Sequence, residues 1–143
     1  MEFNINFLAV AVCVLVSFVL GFIWYAAIFT KLWTKEMNYD PNMRPDKKQM
    51  MKGILVSIIG NFLFVWMFAF YLAGWKYFPN SNQMSTMSFA VNSALSVWLG
   101  FFAPVHLSKV VWEKHSWKLF FINSGFNLVS AIFVAIILAY WTN

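Results

Sequence analysis

The chain has 143 residues, of which 62% are hydrophobic and only 10% charged. Soluble domains carry about 25% charged residues, so this chain cannot coat a water-facing globule, which excludes an ordinary cytosolic enzyme, a nucleic-acid module and a disordered tail. The net charge of +5 does not restore a nucleic-acid reading, because the cations gather in short polar segments between long apolar runs.

A membrane-crossing helix needs about 20 apolar residues, each adding about 1.5 Å across a core of about 30 Å. Four runs reach that length, near 5–29, 53–74, 84–105 and 119–141. They are continuous rather than alternating, which favours helices over barrel strands. The expectation is all-α: one domain over 1–143, an integral membrane bundle of four transmembrane helices.

The first run, Ile5 to Phe29, holds no charged side chain. Glu2 stands where a signal peptide has basic residues, and no clean cleavage site follows, so it reads as a retained helix. Ala9, Cys13, Ser17 and Gly21 recur every four residues, the spacing at which helices approach closely. Cys13 is the sole cysteine, so no intrachain disulfide forms. The helix is expected to continue through Thr30–Met37 until Asp40-Pro41 and Arg44-Pro45 break it.

Asp46 is placed to cap a helix that starts at Lys47 and runs into the second span. Lys47, Lys48 and Lys52 suit anionic lipid headgroups at about 1 kcal/mol each, although selection of topology explains them equally well. Ser57 and Asn61 share a face of this span. Pro79-Asn80-Ser81-Asn82 marks a loop. In the third span Asn92 and Ser96 share a face, and Ser96 and Gly100 form a small-xxx-small pair. His106 follows Pro104 and is expected to bond a freed backbone carbonyl. Ser116 is placed to cap the fourth span, where Asn123 and Asn127 share a face and Ala131, Ala135 and Ala139 form a further small stripe.

Nine of the ten cations lie in the first and third links. By the positive-inside bias these links are cytoplasmic and both termini are outside, an orientation that reporter fusions at the C-terminus check. Trp33, Trp112 and Trp117 would then belt the inner interface, and Trp75, Tyr77, Tyr140 and Trp141 the outer one. Trp66 and Trp98 fall deeper, where packing or lipid contact explains them.

All five acidic residues, Glu2, Glu36, Asp40, Asp46 and Glu113, and every Lys and Arg lie outside the four runs. Pumps and ion-coupled carriers usually need an ionisable group inside. The amides need partners, since an unpaired amide in hydrocarbon costs several kcal/mol. Structural bonding is the first reading of Ser57, Asn61, Asn92, Asn123 and Asn127, and a polar pocket or pore lined by the four asparagines is the second. The small stripes read first as packing within the bundle and second as an oligomer seam. His106 and Glu113 share a helical face but His115 turns away, so no metal site or cofactor is expected. No phosphate loop, Ser/His/Asp set or carboxylate pair supports catalysis, and no enzyme activity is expected.

Several short motifs resemble one family. They are Gly21-Phe22-Ile23-Trp24-Tyr25 with Lys31-Leu32-Trp33, then Leu99-Gly100-Phe101, and Asn123-Ser124-Gly125-Phe126. Together they resemble the bacterial four-helix membrane proteins grouped as domain of unknown function 1761. The resemblance covers nearly the whole chain and implies four spans, a bacterial inner membrane and no assigned reaction. It carries Trp24, Tyr25, Lys31, Trp33, Asn123 and Gly125 as motif positions. Family members often have Ser-Pro after the Trp-Tyr pair; Ala26-Ala27 stand there, so a kink at the end of the first helix is not implied.

Three functional readings remain. The first is a non-catalytic structural or accessory subunit of a homo- or hetero-oligomeric membrane assembly. The second is a small oligomeric channel or carrier. The third is an interfacial enzyme acting on lipid or quinone through His106, Glu113 and His115. The partners expected are membrane lipids, anionic at the cytoplasmic face, and copies of the chain or a larger complex, with no nucleic acid.

Overall fold

The computed structural model describes residues 5–40, 42–43, 46–75, 77, 79 and 83–141. The expectations placed on Glu2, Pro41, Arg44, Pro45, Asn80, Ser81 and Asn82 lie outside the described residues. Among those described, the secondary structure is entirely helical. Four continuous helices are long and apolar enough to cross a membrane: Phe7–Ile28, Lys47–Trp75, Thr86–Trp112 and Trp117–Trp141.

Helix α1 (Phe7–Phe22) opens at Asn6, whose Oδ1 accepts from the Leu8 and Ala9 N–H groups at 3.0 and 3.2 Å. Such a cap satisfies donors that have no partner within the helix. The helix widens into a π turn at Ile23–Ile28, closed by the Phe29 N–H on the Trp24 carbonyl at 2.9 Å. At Phe29 (φ −107°, ψ 9°) the helix breaks, and α2 (Thr30–Glu36) starts afresh. The uninterrupted continuation into Thr30–Met37 is therefore corrected: a bend exists even with Ala26-Ala27 in place. The wider turn supplies it, and the Thr30 hydroxyl donates to the Tyr25 carbonyl at 2.8 Å across it.

Helix α3 (Lys47–Trp75) starts directly after Asp46, whose carbonyl takes the Met50 N–H at 2.9 Å. Helix α4 (Thr86–Val97) is capped by Ser85, leads into a second π turn (Trp98–Phe102), and continues as α5 (Ala103–Trp112). The third span thus runs seven residues past the expected end at 105. Pro104 lacks the N–H that an α-helix would use there, and the π turn before it absorbs the mismatch without ending the helix. Helix α6 (Trp117–Trp141) is capped by Ser116, which accepts from the Leu119 N–H at 3.2 Å.

Helix α6 is the axis, touching α1 and α4 most extensively and also α2, α3, α5 and the second π turn. Small residues make these seams. Ala9, Cys13, Ala90, Ala94, Ala131 and Ala135 are all fully buried, with Ser17 at 1% exposure. Large side chains point out: Leu15, Val56, Phe101 and Phe121 are each more than 60% exposed. A water-soluble monomer rarely shows an apolar patch beyond a few hundred Å². Small residues inside and large ones outside suit a lipid surround, where close backbone approach replaces the hydrophobic drive.

One packing expectation is corrected. Ser96 and Gly100 are both exposed, and a Cβ added to Gly100 would meet nothing within 4 Å. The seam of α4 runs instead through Ala90, Ser93 and Ala94. Gly21 does lie at a close approach, since a Cβ there would come 3.3 Å from the Phe126 ring.

Beyond the apolar segments, α2 docks on the start of α6. Lys118 Nζ lies 3.5 Å from Glu36 Oε1. The Ser116 hydroxyl, and then the Lys118 ammonium, hold the Glu36 carboxyl below its ordinary range, against partial burial that works the other way. A depressed carboxylate stabilises the fold above its unfolded pKa and loses that contribution as pH falls through the folded one. The stability difference between wild type and Glu36→Gln is expected to close as pH drops below about 4.3. A difference that stays constant with pH in denaturant titrations would remove the ion pair from the account.

Candidate functional site

Six consecutive residues of α6, Ile122 to Asn127, receive side chains from three other elements. The first π turn supplies two. Trp24 Nε1 donates to the Ile122 carbonyl at 3.0 Å, and the Tyr25 hydroxyl donates to Asn123 Oδ1 at 2.9 Å. The second π turn supplies Trp98, whose Nε1 is shared between the Ser124 carbonyl at 2.8 Å and its hydroxyl at 3.0 Å. Helix α5 supplies His106, with Nε2 2.7 Å from Asn127 Nδ2. An Asn N–H can only donate, so with the amide in this orientation the His106 nitrogen accepts.

The glycine in this segment has a steric reason. Trp24 lies over Gly125, where a Cβ would stand 3.5 Å from Cζ2. Phe126 packs edge-on to Tyr25 with ring centroids 5.3 Å apart. Trp33 stacks edge-on to Tyr25 at 5.7 Å. Trp24, Tyr25, Trp98 and His106 each bond to this segment, so the cluster fastens three other elements to α6. Deeper along the same seam the Ser130 hydroxyl donates to Ser17 at 3.2 Å, and the Cys13 thiol points to the Val134 carbonyl at 3.9 Å.

Of the motif positions, Trp24, Tyr25, Asn123 and Gly125 converge on this cluster, with Trp33 one ring away. Lys31 does not join them and is exposed. Trp98 and His106 were not expected here. The carbonyl bond expected for His106 is corrected to a bond with the Asn127 side chain. His115 pairs with Glu113 at 3.3 Å. No group of three metal-ligating side chains exists among the described residues.

The asparagines do not share a lining. Asn123 and Asn127 sit in the cluster. Asn92 is exposed and donates to its own helix at the Ser88 carbonyl, 2.8 Å away. Asn61 lines a groove instead. This groove of about 390 Å³ lies between α1 and α3, with Ser17, Gly21 and Tyr25 on one wall and Ser57, Gly60 and Asn61 on the other. It opens because residues 47–60 of α3 are exposed nearly all round, so that α3 meets the bundle mainly through its second half. Lys47, Lys48 and Lys52 sit on this free half and are exposed.

No curated protein and no solved structure matches the chain. A family model does, over residues 8–139, its description being protein of unknown function (DUF1761). That span takes in α1 through nearly all of α6, including every residue of the cluster, and the chain therefore belongs to the DUF1761 family.

Proposed function

We propose that this chain is a non-catalytic subunit of a membrane assembly, built by self-association through the outward face of α4. In this reading it lies in a bacterial inner membrane with both termini outside. The supporting observation is a continuous stripe of exposed polar and small residues along α4. Ser88, Asn92, Ser96 and Gly100 recur every four residues and all are exposed. Ser88 and Asn92 pass their carbonyls to the next member of the stripe, Asn92 Nδ2 and Ser96 Oγ, each at 2.8 Å.

That ladder uses one amide hydrogen of Asn92, while among the described residues its Oδ1 accepts nothing. An amide facing hydrocarbon is unfavourable by several kcal/mol without a partner. It is also self-complementary, carrying a donor and an acceptor, so the same residue of a second copy across a two-fold axis closes two bonds. Gly100, with open space before it, lets the backbones approach. The channel reading is weaker, because the amides do not converge on one path. The enzyme reading is weaker too, because His106 is bonded to Asn127 while His115 pairs with Glu113.

Native mass spectrometry of protein extracted gently from its own membrane tests this. The expected mass is a multiple of 16.6 kDa. Asn92→Leu, which leaves the inner seams untouched, is expected to shift it to the single chain. A wild-type monomer, or a particle held together by other chains, would sink self-assembly through this face.

A further inference from the structure

We propose that the groove between α1 and α3 binds a neutral, carbonyl-bearing membrane lipophile of the prenylated-quinone class, hydrogen-bonded to Asn61. The proposal is independent of the α4 face. Its starting point is Asn61, half-buried on the groove wall. Among the described residues its amide makes no hydrogen bond, unlike Asn92, Asn123 and Asn127. It also stands at the centre of α3, fourteen residues from Lys47 and fourteen from Trp75. An unpaired amide is most costly at that depth.

The chemistry of the other lining groups narrows the ligand. The Ser57 hydroxyl donates to the Gly53 carbonyl at 2.8 Å and the Tyr25 hydroxyl to Asn123. Their protons are used. The Ser17 hydroxyl is paired with that of Ser130 at 3.2 Å. The unused donors are thus the Asn61 N–H groups, and unpaired donors are the rarer omission in folded proteins. A ligand that brings acceptors answers them.

No Lys or Arg lines the groove, so it has nothing for a phosphate. Phospholipid ester carbonyls lie near the headgroups, whereas the head of a long-tailed quinone reaches the bilayer middle. Phe18, Phe22 and Phe126 complete the lining, which makes it aromatic as well as polar. Gly21 and Gly60 keep opposite walls free of side chains. The volume falls within the range of about 300–1,000 Å³ usual for small-molecule sites.

The test uses the whole protein in lipid nanodiscs, incubated with a short-tailed benzoquinone or with a phosphatidylglycerol and analysed by native mass spectrometry. Wild type is expected to retain the quinone in preference to the phospholipid. Asn61→Leu is expected to weaken retention about tenfold, the scale of one hydrogen bond of about 1.4 kcal/mol. Gly60→Leu fills the groove without touching the amide and should abolish retention; a Cβ there meets nothing within 4 Å, so the fold tolerates it. Unchanged retention in both variants, or preference for the phospholipid, overturns the proposal. So does a change of oligomer mass in Asn61→Leu, which would assign the amide to a partner chain.

Discussion

Ser17→Leu is expected to destabilise the bundle by about 2–4 kcal/mol, the larger part from overpacking. Ser17 is 1% exposed and sits where α1 crosses α6. Its neighbours in that seam, Cys13, Ala131, Val134 and Ala135, are all 0% exposed, and its oxygen faces Ser130 of α6, so a longer side chain on that side has to displace buried neighbours. The substitution also strips the Ser130 hydroxyl of its acceptor. That second loss is modest, since interhelical bonds in membranes average about 0.6 kcal/mol. Ser17→Ala isolates it. Denaturant titration in mixed micelles should therefore rank wild type above Ser17→Ala by a small step and above Ser17→Leu by a large one. Equal effects for the two variants would mean that the seam is loose.

The second large effect is expected at Trp24. Its ring covers Gly125, lies 4.9 Å from the Phe29 ring, and sends its N–H to the Ile122 carbonyl. Burying a large aromatic against a neighbouring helix dominates such a contact, and Trp→Ala in a packed site costs about 3–5 kcal/mol. Trp24 is only half-buried, so the low end, about 3 kcal/mol, applies. Trp24→Phe keeps most of the ring and loses the N–H, for about 1 kcal/mol. The same titration measures both. Comparable losses would show that the bond, rather than the ring on Gly125, fastens the first π turn to α6.

The four apolar helices were legible because length and hydropathy alone define them. The seam of α1 was legible for a related reason, since Ala9, Cys13 and Ser17 are the small positions of a helix whose other faces are large. Helix α4 defeated the same rule. It carries two small faces, Ala90-Ser93-Ala94 and Ser88-Asn92-Ser96-Gly100, and spacing does not tell the inward from the outward one. Trp98 was read as a packing or lipid-facing ring because its only polar atom matters when a carbonyl comes within reach, and that depends on a helix 26 residues away. The motif resemblance located Trp24, Tyr25, Asn123 and Gly125, but their mutual contact became visible only in three dimensions.

The second π turn has a consequence for the phase of the third helix. Ser88 and His106 are eighteen residues apart, five whole turns at about 3.6 residues each. In an unbroken α-helix they would point the same way, and His106 would join the outward stripe. The wide turn at Trp98–Phe102 takes up an extra residue and rotates everything beyond it by up to about 100°. That rotation is what carries His106 round to Asn127. The contact is encoded in the number of residues before it as much as in their identity, so a one-residue deletion in this turn would turn His106 away from Asn127 while leaving every other side chain in the sequence unchanged.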